Sequence, residues 1–260
     1  MDMQYRSVLR VRPSLALILF GALFSVLWIA GGASRADALG QVVVRAAAWG
    51  SLVLAILFGP RLSFGRAAPV LYILLGAIAL ALFQLVPLPP EIWQSLPGRD
   101  MLSAIATATG QSAPWRPLSM VPAATVNAAS SLVVPLAVLV CAAGLRQRDR
   151  EWLPALMLGL VAASSVVGLL QFSGLAFNNP LINEQVGQIS GTFANRNHFA
   201  LYLAFGCLLA PVWAFQDGRK PQWRGPVALG LTLFFAVMIL ATGSRAGLLV
   251  GILALGIGFA

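Results

Sequence analysis

Residues 195–198 read Asn-Arg-Asn-His and stand where a polar loop gives way to an apolar run, so amide, guanidinium and imidazole groups meet at one point. Asn195 or Asn197 can cap the helix that follows. A helix N-terminus offers N–H groups and a partial positive charge, which suit an anion. Arg196 adds a planar fork of donors matched to phosphate oxygens. Together these residues describe a phosphate-binding corner. The same string also fits a plain solvated helix start whose arginine meets lipid headgroups, because basic side chains snorkel to interfaces. His198 does not choose between the two. It is the only histidine in the chain, so it has no second imidazole with which to hold a metal.

A second string, Thr-Gly-Ser-Arg-Ala-Gly at 242–247, makes a very tight turn between two apolar runs. Thr242 and Ser244 can cap the next helix, and Gly243 and Gly247 let backbone approach closely. If the helices that follow the two strings are neighbours, Arg196 and Arg245 can grip one diphosphate. The alternative is again a turn whose arginine snorkels.

The elements that would position these groups follow from composition. Of 260 residues, 59% are apolar and 10% are charged, against about 45–50% and 25% in ordinary soluble domains. Mean hydropathy is +0.85. A soluble enzyme is excluded, and so is a disordered chain, which needs the opposite composition. The net charge of +9 comes from basic residues scattered between apolar runs. That pattern forms no nucleic-acid patch and reads as topology signals facing membrane lipids. Cys141 and Cys207 both lie inside apolar segments, and neither a disulfide nor a zinc site is expected.

In lipid every backbone polar group must be satisfied internally, so spanning pieces are helices of about 20 apolar residues or closed barrels. These runs are too long and uniform for barrel strands. The expected fold is all-α, a polytopic integral membrane protein of about eight transmembrane helices forming one domain over 1–260. The candidate spans are 14–33, 41–59, 67–87, 123–145, 152–172, 199–215, 226–242 and 246–260. The last is short and lacks a polar exit, so the chain is expected to stop inside a membrane segment. An N-terminal basic stretch, an apolar run and Ala36-Asp37-Ala38 imitate a secretory signal, but the run is long and an uncleaved first helix is preferred.

Cytoplasmic loops keep basic residues. Arg6, Arg10 and Arg12 precede the first span, Arg61 and Arg66 follow the second, Arg146, Arg148 and Arg150 the fourth, and Arg219, Lys220 and Arg224 the sixth. Every second loop is therefore basic, which puts the N-terminus in the cytoplasm. Arg35, Arg45, Arg99, Arg116, Arg196 and Arg245 fall at or near the other side.

Two outer loops, 88–122 and 173–197, are long. The first holds seven prolines between Pro87 and Pro122, a density that forbids a long helix. Within it, residues 99–110 can form a short helix with Met101, Leu102 and Ile105 on one face, either lying on the membrane surface or serving as a structured connector. Trp93 and Trp115 read as interface anchors. The outer acidic residues are Asp37, Glu91, Asp100 and Glu184, spread over three loops without an Asp-x-Asp pair. A metal-assisted transfer wants clustered carboxylates. A metal-independent site is expected, with no cofactor, in which arginine and helix dipoles meet the charge of a departing diphosphate.

At GTFANRNHFALYLA (191–204) followed by TGSRAGLLV (242–250), the sequence resembles the O-antigen ligase and polymerase family of bacterial envelope glycosyltransferases. The resemblance covers mainly residues 191–260. It implies a multispan protein of the bacterial inner membrane that takes a glycan from undecaprenyl diphosphate on the periplasmic side and joins it to a sugar hydroxyl of an acceptor, without a metal. It further implies that Arg196 and Arg245 hold the lipid diphosphate. Asn195, Asn197 and His198 belong to the matching motif without an assigned role. The family carries further spans and a large periplasmic loop with its catalytic histidine after the region matching Ala260. The catalytic base is accordingly unknown here, His198 is not promoted to that role, and a chain ending at 260 is expected to be inactive.

The rival reading is a transporter or flippase-like protein of polysaccharide export, which calls for ionisable residues or broken helices near mid-bilayer. The sequence offers little of either: Arg45 is near a span end, and Pro135, Pro154 and Pro211 kink helices without a charge nearby. An assembly protein without catalysis is a third reading.

Overall fold

The computed structural model describes residues 13–111, 114–175, 179–183, 187–216 and 222–258. Arg6, Arg10, Arg12, Glu184, Arg219, Lys220 and the chain end at Ala260, all used above, lie outside these residues. In chain order the helices are α1 (Leu15–Ala30), α2 (Leu39–Phe58), α3 (Ala68–Phe83, entered by a 3₁₀ turn at Gly65–Ala67), α4 (Pro90–Gln94), α5 (Asp100–Ala108), α6 (Pro122–Ser131), α7 (Val133–Ala143), α8 (Gln147–Arg150), α9 (Leu153–Phe172), α10 (Arg196–Ala214), α11 (Arg224–Thr242) and α12 (Arg245–Gly258). Two-residue strands β1 (Pro87–Leu88) and β2 (Arg116–Pro117) pair antiparallel.

The protein is thus mostly helical, and six segments are long and apolar enough to cross a membrane: α2, α3 with its 3₁₀ entry, α6 with α7, α8 with α9, α10 and α11. The Gly65–Phe83 segment carries the argument for lipid, because its mean hydropathy is 2.0 and none of its residues is buried in the protein. A helix apolar all round and facing outward has no stable place in water. The first and last apolar helices, α1 and α12, have 16 and 14 residues, short of the ~20 of a full span. Pro135 splits the fourth run, since it has no N–H to give the carbonyl four residues back and the helix breaks at Leu132. Pro154 instead sits in the first turn of α9, where a missing N–H costs nothing.

The chain packs as two compact units. The first comprises residues up to Leu62 and from Val140 onward, the second Ser63–Leu139.

In the first unit α10 is the central helix, in contact with α9, α11 and α12. Its inner face, Phe199, Leu203, Ala204, Cys207 and Ala210, is fully buried with Val161 of α9 and Phe235 of α11. Small residues make that closeness possible. A Cβ on Gly206 would strike Val161 and Phe235, and one on Gly247 would run into the Ala200 side chain. Helix α1 joins through the Trp28 indole, which donates to the Leu160 carbonyl at 3.1 Å.

The helices of this unit alternate in direction, which gives it two ends of different character. At one end Ser14, Arg61 and Arg146 line a shared pocket of about 460 Å³. There Ser14 Oγ donates to the buried Asp149 carboxylate at 2.5 Å, and Gln216 Nε2 donates to the Glu151 carbonyl at 2.6 Å. The opposite end gathers the end of α1 and the starts of α2, α10 and α12. Asn179 Nδ2 donates to the Ile29 carbonyl at 2.8 Å, and the Gly40 amide donates to Leu181 O at 3.1 Å.

In the second unit α3 packs on α6, and the 84–121 connector folds on itself. Ser119 N donates to Gln84 O at 2.9 Å, and Ser119 Oγ lies 2.7 Å from Thr125 Oγ1. Trp93 is not an interface anchor: it is fully buried, its indole donates to Pro114 O at 2.8 Å, and the Arg116 guanidinium lies 5.4 Å above its ring. The connector has a small core of its own, and Trp93 fills it. Trp115 is exposed, as an anchor requires.

Replacing Gly247 by valine is expected to push α12 off α10 and lower stability by about 1–3 kcal/mol. Thermal unfolding of the purified protein in detergent measures this, and an unchanged midpoint would contradict the packing described.

Candidate functional site

The loop that leads into α10 is held from α9. Gln171, in the last turn of that helix, accepts from the Ser190 and Gly191 amides at 2.9 and 2.8 Å and returns a bond from Nε2 to Gly191 O at 3.1 Å. About two turns further down, Ser164 Oγ meets Thr192 Oγ1 at 2.8 Å, both buried. From the other side Ala194 N donates to Gly32 O at 2.9 Å. Gly191 adopts a φ of +58°, and a side chain there would also collide with the ring of Phe199. Phe199 is fully buried, and Gly168 leaves room for it as well. The loop is therefore fixed before the candidate residues begin.

Asn195 is the N-cap of α10. Its Oδ1 accepts from the Asn197 amide at 2.8 Å and its carbonyl from His198 N at 3.1 Å. This is why α10 begins at Arg196 rather than at the first purely apolar residue. Arg196, Asn197 and His198 are exposed at its first turn.

The second string comes to meet the first. Gly243 closes α11 in the left-handed conformation at φ 65°, and Ser244 then donates from Oγ to Asn197 Oδ1 at 2.8 Å while accepting from Gly247 N at 3.0 Å. Ser244 therefore caps α12 and bridges to α10 with one hydroxyl. Thr242 does not cap α12: its hydroxyl donates back to Ile239 O at 2.7 Å and accepts from Ser244 N at 3.2 Å, so it finishes α11. The Arg196 Nη1 atom stands 3.7 Å from the point where a side chain on Gly243 would begin. Arg245 opens α12 two residues later and is exposed.

The electrostatics are one-sided. Among the described residues the one ion pair is Arg35 with Asp37, at 2.6 Å. The hydrogen-bonding Arg35 guanidinium holds the Asp37 carboxyl below its ordinary value. No acidic partner meets Arg196 or Arg245 among the described residues. Both helices direct their N-termini, with their partial positive charge, to the same place. No cluster of three metal-ligating side chains occurs among the described residues.

Beside this corner an apolar groove of about 620 Å³ runs between α10 and α12, from Phe193 and His198 at its head past Tyr202 and Phe205 to Leu253 and Ile257. From His198 to Leu208 it follows about 15 Å of helix, roughly one leaflet of a ~30 Å hydrocarbon core. Its rims, Leu201, Phe205, Leu253 and Ile257, are exposed. Polar donors thus stand at the head of an oily channel.

No family model, characterised protein or solved structure matches the chain.

The structure brings Arg196, Asn197 and the 242–245 turn together, gives Asn195 a capping role, and sets His198 at the mouth of the groove. Sequence reasoning missed Gln171, Ser164 and Thr192. A lone glutamine near the end of an otherwise apolar run was the available signal for the first, because a polar amide in lipid must have a partner. Replacing Gln171 by leucine leaves two loop amides unpaired, and a loss of about 1–3 kcal/mol is expected. Hydrogen exchange at Ser190 and Gly191 should quicken accordingly, and unchanged protection would show that the loop is held by other means.

Proposed function

We propose that this chain belongs to a membrane glycosyltransferase of the ligase or polymerase type, which transfers a glycan from undecaprenyl diphosphate to a sugar hydroxyl of an acceptor. The observation that carries the reading is the Ser244–Asn197 hydrogen bond, which joins the two arginine-bearing strings at the head of the apolar groove. In this reading Arg196 and Arg245 face the diphosphate and the groove takes the first part of the polyprenyl chain.

The chemistry follows from that placement. An acceptor oxygen attacks the anomeric carbon, the bond from that carbon to the phosphate oxygen breaks, and the leaving diphosphate takes the electron pair. Guanidinium groups and the two helix N-termini stabilise the charge that develops, without a metal. The proton of the acceptor goes to a general base, a role that this reading assigns to none of Asn195, Asn197 and His198.

The same reading sets α1 and α12 in the membrane as well, for eight spans. It places the end bearing Arg61 and Arg146 in the cytoplasm of a bacterium, together with the N-terminus, and the arginine corner at the periplasmic face of the inner membrane.

The test is consumption of polyprenyl-diphosphate-linked glycan by the intact protein in proteoliposomes. Arg196→Ala and Arg245→Ala are each expected to lower turnover about a hundredfold, with expression and melting midpoint unchanged. Normal turnover in both variants, or solute transport without any glycan transfer, would remove the proposal.

A further inference from the structure

Helix α5 has three distinct sides. Leu102 and Ala106 face inward, half-buried and buried. Asp100, Ser103 and Thr107 form a polar side. The third side, Met101, Ala104, Ile105 and Ala108, follows the i, i+3, i+4, i+7 rule of a helix face, is wholly apolar and is exposed, Met101 at 75% and Ile105 at 47%. A surface helix in water would carry polar residues there.

Several bonds fix where this side stands. The connector begins and ends at the ends of α3 and α6, where Ser119 N bonds Gln84 O. The start of α5 is tied to the same level: Arg99, only 4% exposed, donates through its guanidinium to the carbonyl of Leu118, just ahead of α6. Gly98 and Gly110, both with positive φ, turn the chain at either end of the helix. Thus the start of α5 is tied through Leu118 and Ser119 to the end of a segment with mean hydropathy 2.0 and no buried residue. Its hydroxyls make little demand on water, since Thr107 Oγ1 donates to Ser103 O at 3.0 Å and Thr109 Oγ1 to Ile105 O at 2.8 Å.

We propose that α5 lies in the membrane surface, with Met101, Ala104, Ile105 and Ala108 dipping into the boundary between headgroups and acyl chains, so that the connector is docked on lipid. The occupant of this face is the bilayer that the neighbouring spans already occupy. The inference is independent of any transferase activity. It makes the connector a depth gauge that fixes how far the second unit sits in the membrane.

The test uses the full chain in phospholipid vesicles with Cys141 and Cys207 replaced by alanine. Single cysteines carrying a nitroxide are placed by Met101→Cys, Ile105→Cys, Ala108→Cys and, on the polar side, Thr107→Cys. Accessibility is read by electron paramagnetic resonance with oxygen, which concentrates in lipid, and with a water-soluble nickel chelate. The expected result is a severalfold preference for oxygen at 101, 105 and 108 and the reverse at 107. Preference for the chelate at the three apolar positions would show that the face meets water. Low accessibility to both reagents would show that protein covers it, and either outcome overturns the proposal. Because three positions share the stripe, one variant that misfolds leaves two to decide.

Discussion

Lipid gives a backbone no water to bond with, so the polar work of this protein is pushed to the ends of its helices. At the end of the first unit that gathers the starts of α2, α10 and α12, that work is done largely by neutral amides. Asn179 takes a free carbonyl of α1, Asn183 binds the Ser34 amide at 2.9 Å, Gln171 clamps the loop before α10, Asn195 caps α10 and Asn197 receives Ser244. Amides donate and accept at once and carry no charge, so they tie loops together without adding to the field.

The consequence is electrical. Because structure at this end is held by amides, Arg196 and Arg245 are not used up in ion pairs among the described residues, whereas Arg35, two residues from Asp37, is. An exposed arginine at a helix start, near a second helix start, forms a region where an anion is attracted from two sides. The bond between Ser244 and Asn197 keeps these two helix starts together, and the absence of a side chain at Gly247 lets them come close. Polar grip and apolar groove then share α10: its first turn carries the donors, and one flank of the next turns lines the channel.

Much of this was legible residue by residue. The apolar runs marked the helices because length and composition are local properties, and residue types narrowed the caps to Asn195 or Asn197 for one helix and to Thr242 and Ser244 for the other, with Gly247 a point of close contact. Trp93 could not be read this way. An indole between prolines suits a membrane interface and a small core equally well, and only the folding-back of Pro114 and Arg116 chose the core. Thr242 misled for a similar reason: a hydroxyl next to two helix ends can serve either, and it serves the one behind it.

The sequence alone determined that the chain carries helices apolar enough for lipid, where most of the long ones begin and end to within a few residues, and some of the polar groups that stand at their ends, because each of these follows from the solvent's refusal of unpaired backbone. It could not determine which ends meet. That α12 lies against α10, that Gln171 reaches back over the loop, and that a groove opens below His198 were decided by packing between segments far apart in the chain, where the fit of Ala200 against Gly247 and of Phe199 against Gly168 and Gly191 selects one arrangement of uniformly oily helices.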